Sequence, residues 1–193
     1  MIEISFVSGE IFLAVVWFGC RIFHWISDRG IDWKKEAKLT LMYLNLAVII
    51  RYAFYPMSLR NGAVQPLVFD FNSIYPFRIN LLPFVNMFDH SISKEFLLDL
   101  IGNVMMFIPT GMIIPLIEKD MNSFWKVLGA GAVISLVIEC CQRPFGSMTS
   151  DIDELLLHTA GVAIGYAIYT FIKIIKKTFV IFRDKNMKIT AGV

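Results

Sequence analysis

The sequence predicts an all-α, polytopic membrane helix bundle of about five transmembrane helices, with a long interfacial loop between the second and third. Three observations predict it. The 193 residues are 56% hydrophobic, with a mean hydropathy of +0.63, where soluble domains are nearer half apolar. Charged residues make up 18%, against about a quarter in a soluble domain, and they cluster between apolar runs. Five of those runs approach the roughly 20 residues that a helix needs to cross a hydrocarbon core about 30 Å thick.

The first run covers residues 4–25, with Arg21 and His24 near its end, where long polar side chains reach the interface. Glu3 and Glu10 precede or open this run without a basic residue, and no small-x-small site follows. The run is therefore expected to be a retained span, since a signal peptide needs a positive n-region. A polar link (27–38) leads to the second run, 39–55, which Pro56 stops. Residues 57–95 carry Pro66, Pro76 and Pro83 among aromatic side chains. They are too broken for a span and read as a loop on, or dipping into, the interface. The third run is 96–117, with a kink expected at Pro109. The fourth is 123–141, followed by a short loop, 143–151. The fifth is 153–175 and ends in a basic tail. Cys20, Cys140 and Cys141 have no metal-type spacing and read as lipid-buried thiols.

Basic residues fall into alternate links. Arg29, Lys34, Lys35 and Lys38 lie in the first, Lys119 and Lys126 follow the third run, and Lys173, Lys176, Lys177, Arg183, Lys185 and Lys188 end the chain. The positive-inside rule then places the N-terminus outside and the C-terminus in the cytoplasm.

In that frame several polar residues share one depth. Arg51, Asn103, Glu139, Gln142, Asp151, Asp153, Glu154 and His158 come from four helices. All fall within roughly 10 Å of the outer boundary at 1.5 Å rise per residue. Each ionisable group costs about 2.5–3.5 kcal/mol in hydrocarbon, so it should face the interior and find a partner. Depth and sign match Arg51 to Glu139, either as a structural ion pair or as part of a site. Asp151 and Asp153 suit a helix N-terminus as caps or as site carboxylates. Asn103 reads as an interhelical hydrogen bond or a ligand contact. Glu139, Asp151, Asp153 and His158 are the candidates for acid–base chemistry. A single histidine among them sets no metal site, and no cofactor is expected. Gly161-x-x-x-Gly165 has the spacing of close helix packing.

Four ordered motifs carry a resemblance: NLLPF at 80–84, GNVMMFIPTG at 102–111, IECCQ at 138–142 and DIDELLLHTAG at 151–161. In them the chain resembles the VanZ-like family, membrane proteins named for an accessory protein of glycopeptide-antibiotic resistance. The resemblance covers roughly residues 39–169. It implies an extra N-terminal helix and link (1–38), a membrane domain (39–175) and a basic cytoplasmic tail (176–193). It puts weight on Asn80, Pro83, Phe84, Asn103, Pro109, Gly111, Glu139, Gln142, Asp151, Asp153 and Thr159. Two departures stand out. Met148 sits where the family usually has an arginine three residues before the first aspartate, with Arg143 as a stand-in from the same loop. His158 sits where the family usually has asparagine.

The resemblance implies a role in the bacterial cytoplasmic membrane connected with teicoplanin-type lipoglycopeptides, which act on lipid-linked wall precursors outside the membrane. The expected partner is a membrane lipid, a lipid-linked cell-wall component or a lipoglycopeptide antibiotic. A homo-oligomer is an open option, and nucleic acid is not expected. The ligand-binding set would be Arg51, Asn80, Asn103, Glu139, Gln142, Arg143, Asp151 and Asp153, with 80–84 folding over as a lid. The alternative is a membrane-embedded acid–base hydrolase or transferase on an envelope lipid. No inverted repeat supports a transporter. The topology has a direct check: a cysteine at Ser147 should react with an impermeant reagent in intact cells, and one at Lys35 should not.

Overall fold

The computed structural model describes residues 2–28, 30–55, 59–60, 63–70, 79–80, 94–145 and 150–190. Among these are five helices long and apolar enough to cross a membrane: α1 (Phe6–Asp28), α2 (Trp33–Phe54), α3 (Lys94–Ile117), α4 (Phe124–Gln142) and α5 (Ile152–Thr190). Two boundaries differ from the apolar runs. The Asp32 carboxylate accepts from the backbone N–H groups of Lys34 and Lys35, at 3.0 and 3.3 Å. This cap starts α2 six residues before its apolar run, so Lys34, Lys35 and Lys38 belong to its first turns rather than to a link. α5 has 39 residues, about 58 Å at 1.5 Å per residue, and runs far past residue 175.

Within the bundle α3 packs on α2, α4 and above all α5. The α3–α5 contact is made of backbone. A Cβ at Gly161 would sit 2.2 Å from the Val104 carbonyl oxygen, and one at Gly165 would sit 2.0 Å from that of Ile108. From the other side, a Cβ on Gly111 would meet the Val162 carbonyl oxygen at 2.1 Å. The paired positions advance together, so α3 and α5 run parallel. Without a hydrophobic force between helices in lipid, such small residues let the backbones approach and gain dispersion contact. Ile49, Phe107, Val127 and Val162 are fully buried around this seam.

Pro109 and Pro115 both lie inside α3. Pro109 brings no backbone donor to its turn, which deprives the Met105 carbonyl of its i→i−4 partner, and a side chain of α2 binds the next carbonyl along. Asn45 on α2 donates from Nδ2 to the Met106 carbonyl at 3.2 Å, and Thr110 Oγ1 donates to Asn45 Oδ1 at 3.2 Å. α1 is peripheral and buries none of its residues. Arg21 forms an ion pair with Glu36 of α2. His24 Nε2 pairs with Asp28 on its own helix at 3.0 Å. The three cysteines are free and lie on the outside of the bundle.

Short strands cap one end. β1 (Ile2–Ile4) pairs antiparallel with β4 (Leu67–Phe69), matching Ile2 to Phe69 and Ile4 to Leu67. β2 (Leu59–Arg60) and β3 (Ala63–Val64) form a small hairpin, and β5 (Ile79–Asn80) runs parallel to β6 (Ser150–Asp151). Phe69 bridges to Phe145, and Asp70 N–H donates to the Pro144 carbonyl at 2.9 Å. The described part of the 57–95 connection is thus pinned by strand pairing, where the sequence alone suggested an interfacial loop. Its backbone groups find partners in the N-terminus and in the segment before α5, a distant pairing that local composition does not encode. The opposite end joins α2 to the α3–α4 turn through Lys35 and Glu118 at 3.3 Å. Both basic links therefore share that end, as the charge pattern requires.

The glycine seam is open to a controlled test. Gly165→Ala should lower thermal stability by about 1–3 kcal/mol through overpacking. Gly129→Ala on α4, where an added Cβ meets nothing within 4 Å, should leave the melting temperature of the detergent-solubilised protein unchanged or higher.

Candidate functional site

The buried face of α4 carries Val127, Gly131, Ser135, Ile138, Glu139 and Gln142. Ser135, Glu139 and Gln142 are spaced four and three apart, so they stack as one polar column about 10 Å tall. Packing aims this face inward. A Cβ on Gly131 would meet Val162 Cγ2 of α5 at 2.5 Å, so α4 lies close against α5 just below the column.

The bottom and top of the column meet different helices. At the bottom, Ser135 Oγ and His158 Nδ1 of α5 are 2.7 Å apart. The other ring nitrogen, Nε2, is 3.3 Å from Asn103 Oδ1 on α3. One imidazole thus joins three helices. Its ring also stacks on Phe107, with centroids 4.2 Å apart and planes 20° from parallel. His158 is 1% exposed and Ser135 is wholly buried. With Asn103 accepting at Nε2, the neutral ring carries its proton there and Nδ1 accepts from the serine hydroxyl, a tautomer that satisfies all three groups. In the middle, Glu139 is 5% exposed. At the top, Gln142 Nε2 donates to the Ala53 carbonyl at 2.7 Å. That carbonyl is one of the four left without an intrahelical partner at the end of α2.

Arg51 stands apart from the pairing expected for it. Among the described residues the ion pairs are Arg21–Glu36, His24–Asp28 and Lys35–Glu118, and the Arg51–Glu139 pair is not one of them. Arg51 Nη1 donates to the Tyr55 carbonyl at 2.9 Å, one helical turn on. Its guanidinium lies over the Phe6 and Tyr52 rings at 5.5 and 5.7 Å. The rotation of α2 turns Arg51 toward Phe6 at the start of α1. Tyr55, just past α2, is itself buried and donates to the Ser5 carbonyl at 3.1 Å. Burial, and then the charge of Glu10, push its phenol above the usual range.

The cap brings two further motifs together. In the β5–β6 register Asn80 is the partner of Asp151. Their backbones are adjacent although 71 residues separate them in sequence. Asp153 and Glu154 lie in the first turn of α5, and Arg143 follows α4 as its C-terminal residue in helical conformation. The proposed lid residues 81–84 and Met148 lie outside the described residues. Among the described residues no group of three His, Cys, Asp or Glu side chains could hold a metal ion.

Ser135, Asn45 and Thr110 were not singled out by sequence reasoning. For Ser135 a signal existed: it lies four residues before Glu139, on the same helical face. Its worth is measurable. Ser135→Ala should cost about 1–3 kcal/mol by leaving a buried ring nitrogen unsatisfied. In a double-mutant cycle with His158→Phe the coupling should be about 0.5–3 kcal/mol, read from thermal melts in detergent.

No curated protein and no solved structure matches the chain. A family model described as VanZ/LLP1 matches residues 11–173, from within α1 to the level at which α5 leaves the bundle, and the chain belongs to that VanZ/LLP1 family.

Proposed function

We propose that this membrane protein acts at the outer face of the cytoplasmic membrane on a cell-envelope amphiphile, by binding it at the capped end of the bundle. The observation that carries the reading is the polar column of α4 leading up to that end, with Asn80 and Asp151 paired above it. Buried polar groups are costly in a membrane, and a column of them rising to one end of the bundle suits the polar headgroup of an amphiphile. The ligand's apolar part would stay in the surrounding lipid while Glu139, Gln142 and the strand-paired Asn80–Asp151 segment meet its head. Family membership links the reading to glycopeptide resistance, with a lipid-linked wall component or a lipidated drug as the class of ligand.

Binding is favoured over turnover by the state of His158. Its two ring nitrogens are engaged by Ser135 and Asn103 and its face by Phe107. The ring and the Ser135 hydroxyl are both buried, at 1% and 0% exposure, so this arrangement gives a reacting group no access to the pair and favours a three-helix tie.

The test is phenotypic and biochemical together. In a strain overexpressing the protein, Glu139→Ala and Asp151→Ala should insert normally and lose any shift in teicoplanin susceptibility, whereas Asp120→Ala at the opposite end should keep it. Inserted Glu139→Ala and Asp151→Ala variants with an unchanged shift would remove these residues from the site. Turnover of labelled envelope lipids by purified protein, abolished in Glu139→Gln, would replace the binding reading with the enzymatic one.

A further inference from the structure

Along α5 one row of residues recurs at alternating steps of four and three: Gly161, Gly165, Ile168, Ile172, Ile175, Phe179 and Phe182. That is a seven-residue repeat, with Gly165, Ile172 and Phe179 at its a positions and the other four at d. The row begins as a buried contact, where Gly161 and Gly165 lie against the Val104 and Ile108 carbonyls of α3. It does not end as one. α3 stops at Ile117, six residues past Gly111. Gly111 faces Val162 and Tyr166, and the two helices advance together, so α3 runs out at the level of Ile168 to Ile172. Exposure along the row rises accordingly, from 37% at Ile168 to 71% at Phe179 and 66% at Phe182.

The bundle holds a different side of α5. Asn122, in the α3–α4 turn, accepts at its carbonyl from Tyr166 Oη at 2.7 Å, and at Oδ1 from Tyr169 Oη at 3.0 Å and Lys173 Nζ at 3.4 Å. At about 100° per residue these three point, on average, roughly 145° away from Ile175, Phe179 and Phe182. Every residue from 171 to 183 is exposed, so among the described residues the chain leaves this stretch of the row uncovered. From Ile152 to Ile172 is about 30 Å of helix, the thickness of the hydrocarbon core. Ile175, Phe179 and Phe182 therefore lie past that core, where apolar surface gains from being covered. A lone helix of this length is also marginal in water unless something packs on it.

We infer that this row is a homodimer seam, on which α5 of a second copy packs in parallel from about Ile168 to Phe182. The row is continuous with the α3–α5 contact and keeps its spacing, so what fits it is a helix parallel to α5, as α3 is. A second copy meets that requirement by topology. Two copies in one membrane share orientation and depth, so their projections stand parallel, level and at high local concentration. The area suffices as well. Ile168, Phe171, Ile172, Ile175, Phe179 and Phe182 expose on the order of 600 Å² per copy, about 1,200 Å² for the pair, above the roughly 1,000 Å² that a specific interface needs. Charge is compatible with the pairing. Lys176 and Arg183 fall at e positions, opposite the partner's Phe171 and the partner's Thr178 at g, so no like charges meet across the seam. In sequence the repeat runs on through Asn186 and Ile189, and one polar a position is a usual determinant of register. A strict seven-residue repeat then winds the pair into a left-handed supercoil. The inference concerns the end of the molecule opposite the proposed site and stands independently of it.

Cross-linking of the full chain tests it. With Cys20, Cys140 and Cys141 changed to serine, single cysteines are placed in turn along residues 174–182. Each variant is oxidised with copper phenanthroline in phosphatidylcholine vesicles at a large lipid excess. Disulfide-linked dimer should peak at Ile175→Cys, Phe179→Cys and Phe182→Cys, and be roughly fivefold lower at Lys177→Cys and Val180→Cys, whose positions point out of the seam. Phe179→Glu with Phe182→Glu should cut the dimer yield of Ile175→Cys about tenfold and leave the melting temperature of the bundle unchanged, whereas Val180→Glu should leave the yield as it was. Equal yield at every position would overturn the inference, as would an Ile175→Cys dimer that survives the two glutamates. So would the absence of dimer at every position; quenching of a fluorophore on Phe182→Cys by a lipid-borne quencher would then assign the cover of the row to lipid.

Discussion

Everything else in this bundle is placed by the backbone contact between α3 and α5. Gly161 and Gly165 lie against the carbonyls of Val104 and Ile108, and Gly111 lies against that of Val162, at separations no side chain can enter. In lipid the helices gain nothing from hiding apolar surface, so close packing and hydrogen bonds decide which faces meet. The contact allows one register. That register puts Asn103, next to Val104, opposite His158, three residues before Gly161. Gly131 lets α4 approach the same region of α5, and Ser135, one turn on, completes the tie. The order of cause runs from glycine spacing to helix register to polar contact.

Three contacts then give buried polar groups of the bundle their partners. One layer, Asn45–Thr110–Met106, joins α2 to α3 beside Pro109. A second, Ser135–His158–Asn103, joins α3, α4 and α5 nearer the cap. A third contact, Gln142 to Ala53, satisfies the end of α2. Each is a side chain from one helix serving another, so each also fixes rotation. α1 takes no part in these layers and buries no residue. It is held to α2 through Arg21 and Glu36, to the cap through Tyr55 and Ser5, and through the β1 strand that precedes it.

The two ends of the molecule consequently differ in kind. One carries short strands that draw the N-terminus, the 57–95 connection and the α4–α5 loop together over a polar column. The other carries paired charges, a tight α3–α4 turn and a basic helix that outruns the bundle.

Much of this was legible in the sequence. Run length and hydropathy determined five spans, and glycine spacing determined a close helix contact. The depth of Asn103, Glu139, Gln142 and His158 was readable because rise per residue is constant in a helix. The partners of those residues were not readable, because pairing depends on the rotation of each helix about its axis, which only packing against three neighbours sets. Hence Arg51 has the depth of Glu139 but turns to Phe6, Tyr52 and its own backbone. Hence too the two partners of His158, Ser135 of α4 and Asn103 of α3, come from helices that depth alone does not choose. The start of α2 at Asp32 and the Asn80–Asp151 pairing belong to the same class. A local cap competes with composition at a helix end, and strand partners distant in sequence are chosen by the fold that brings them together.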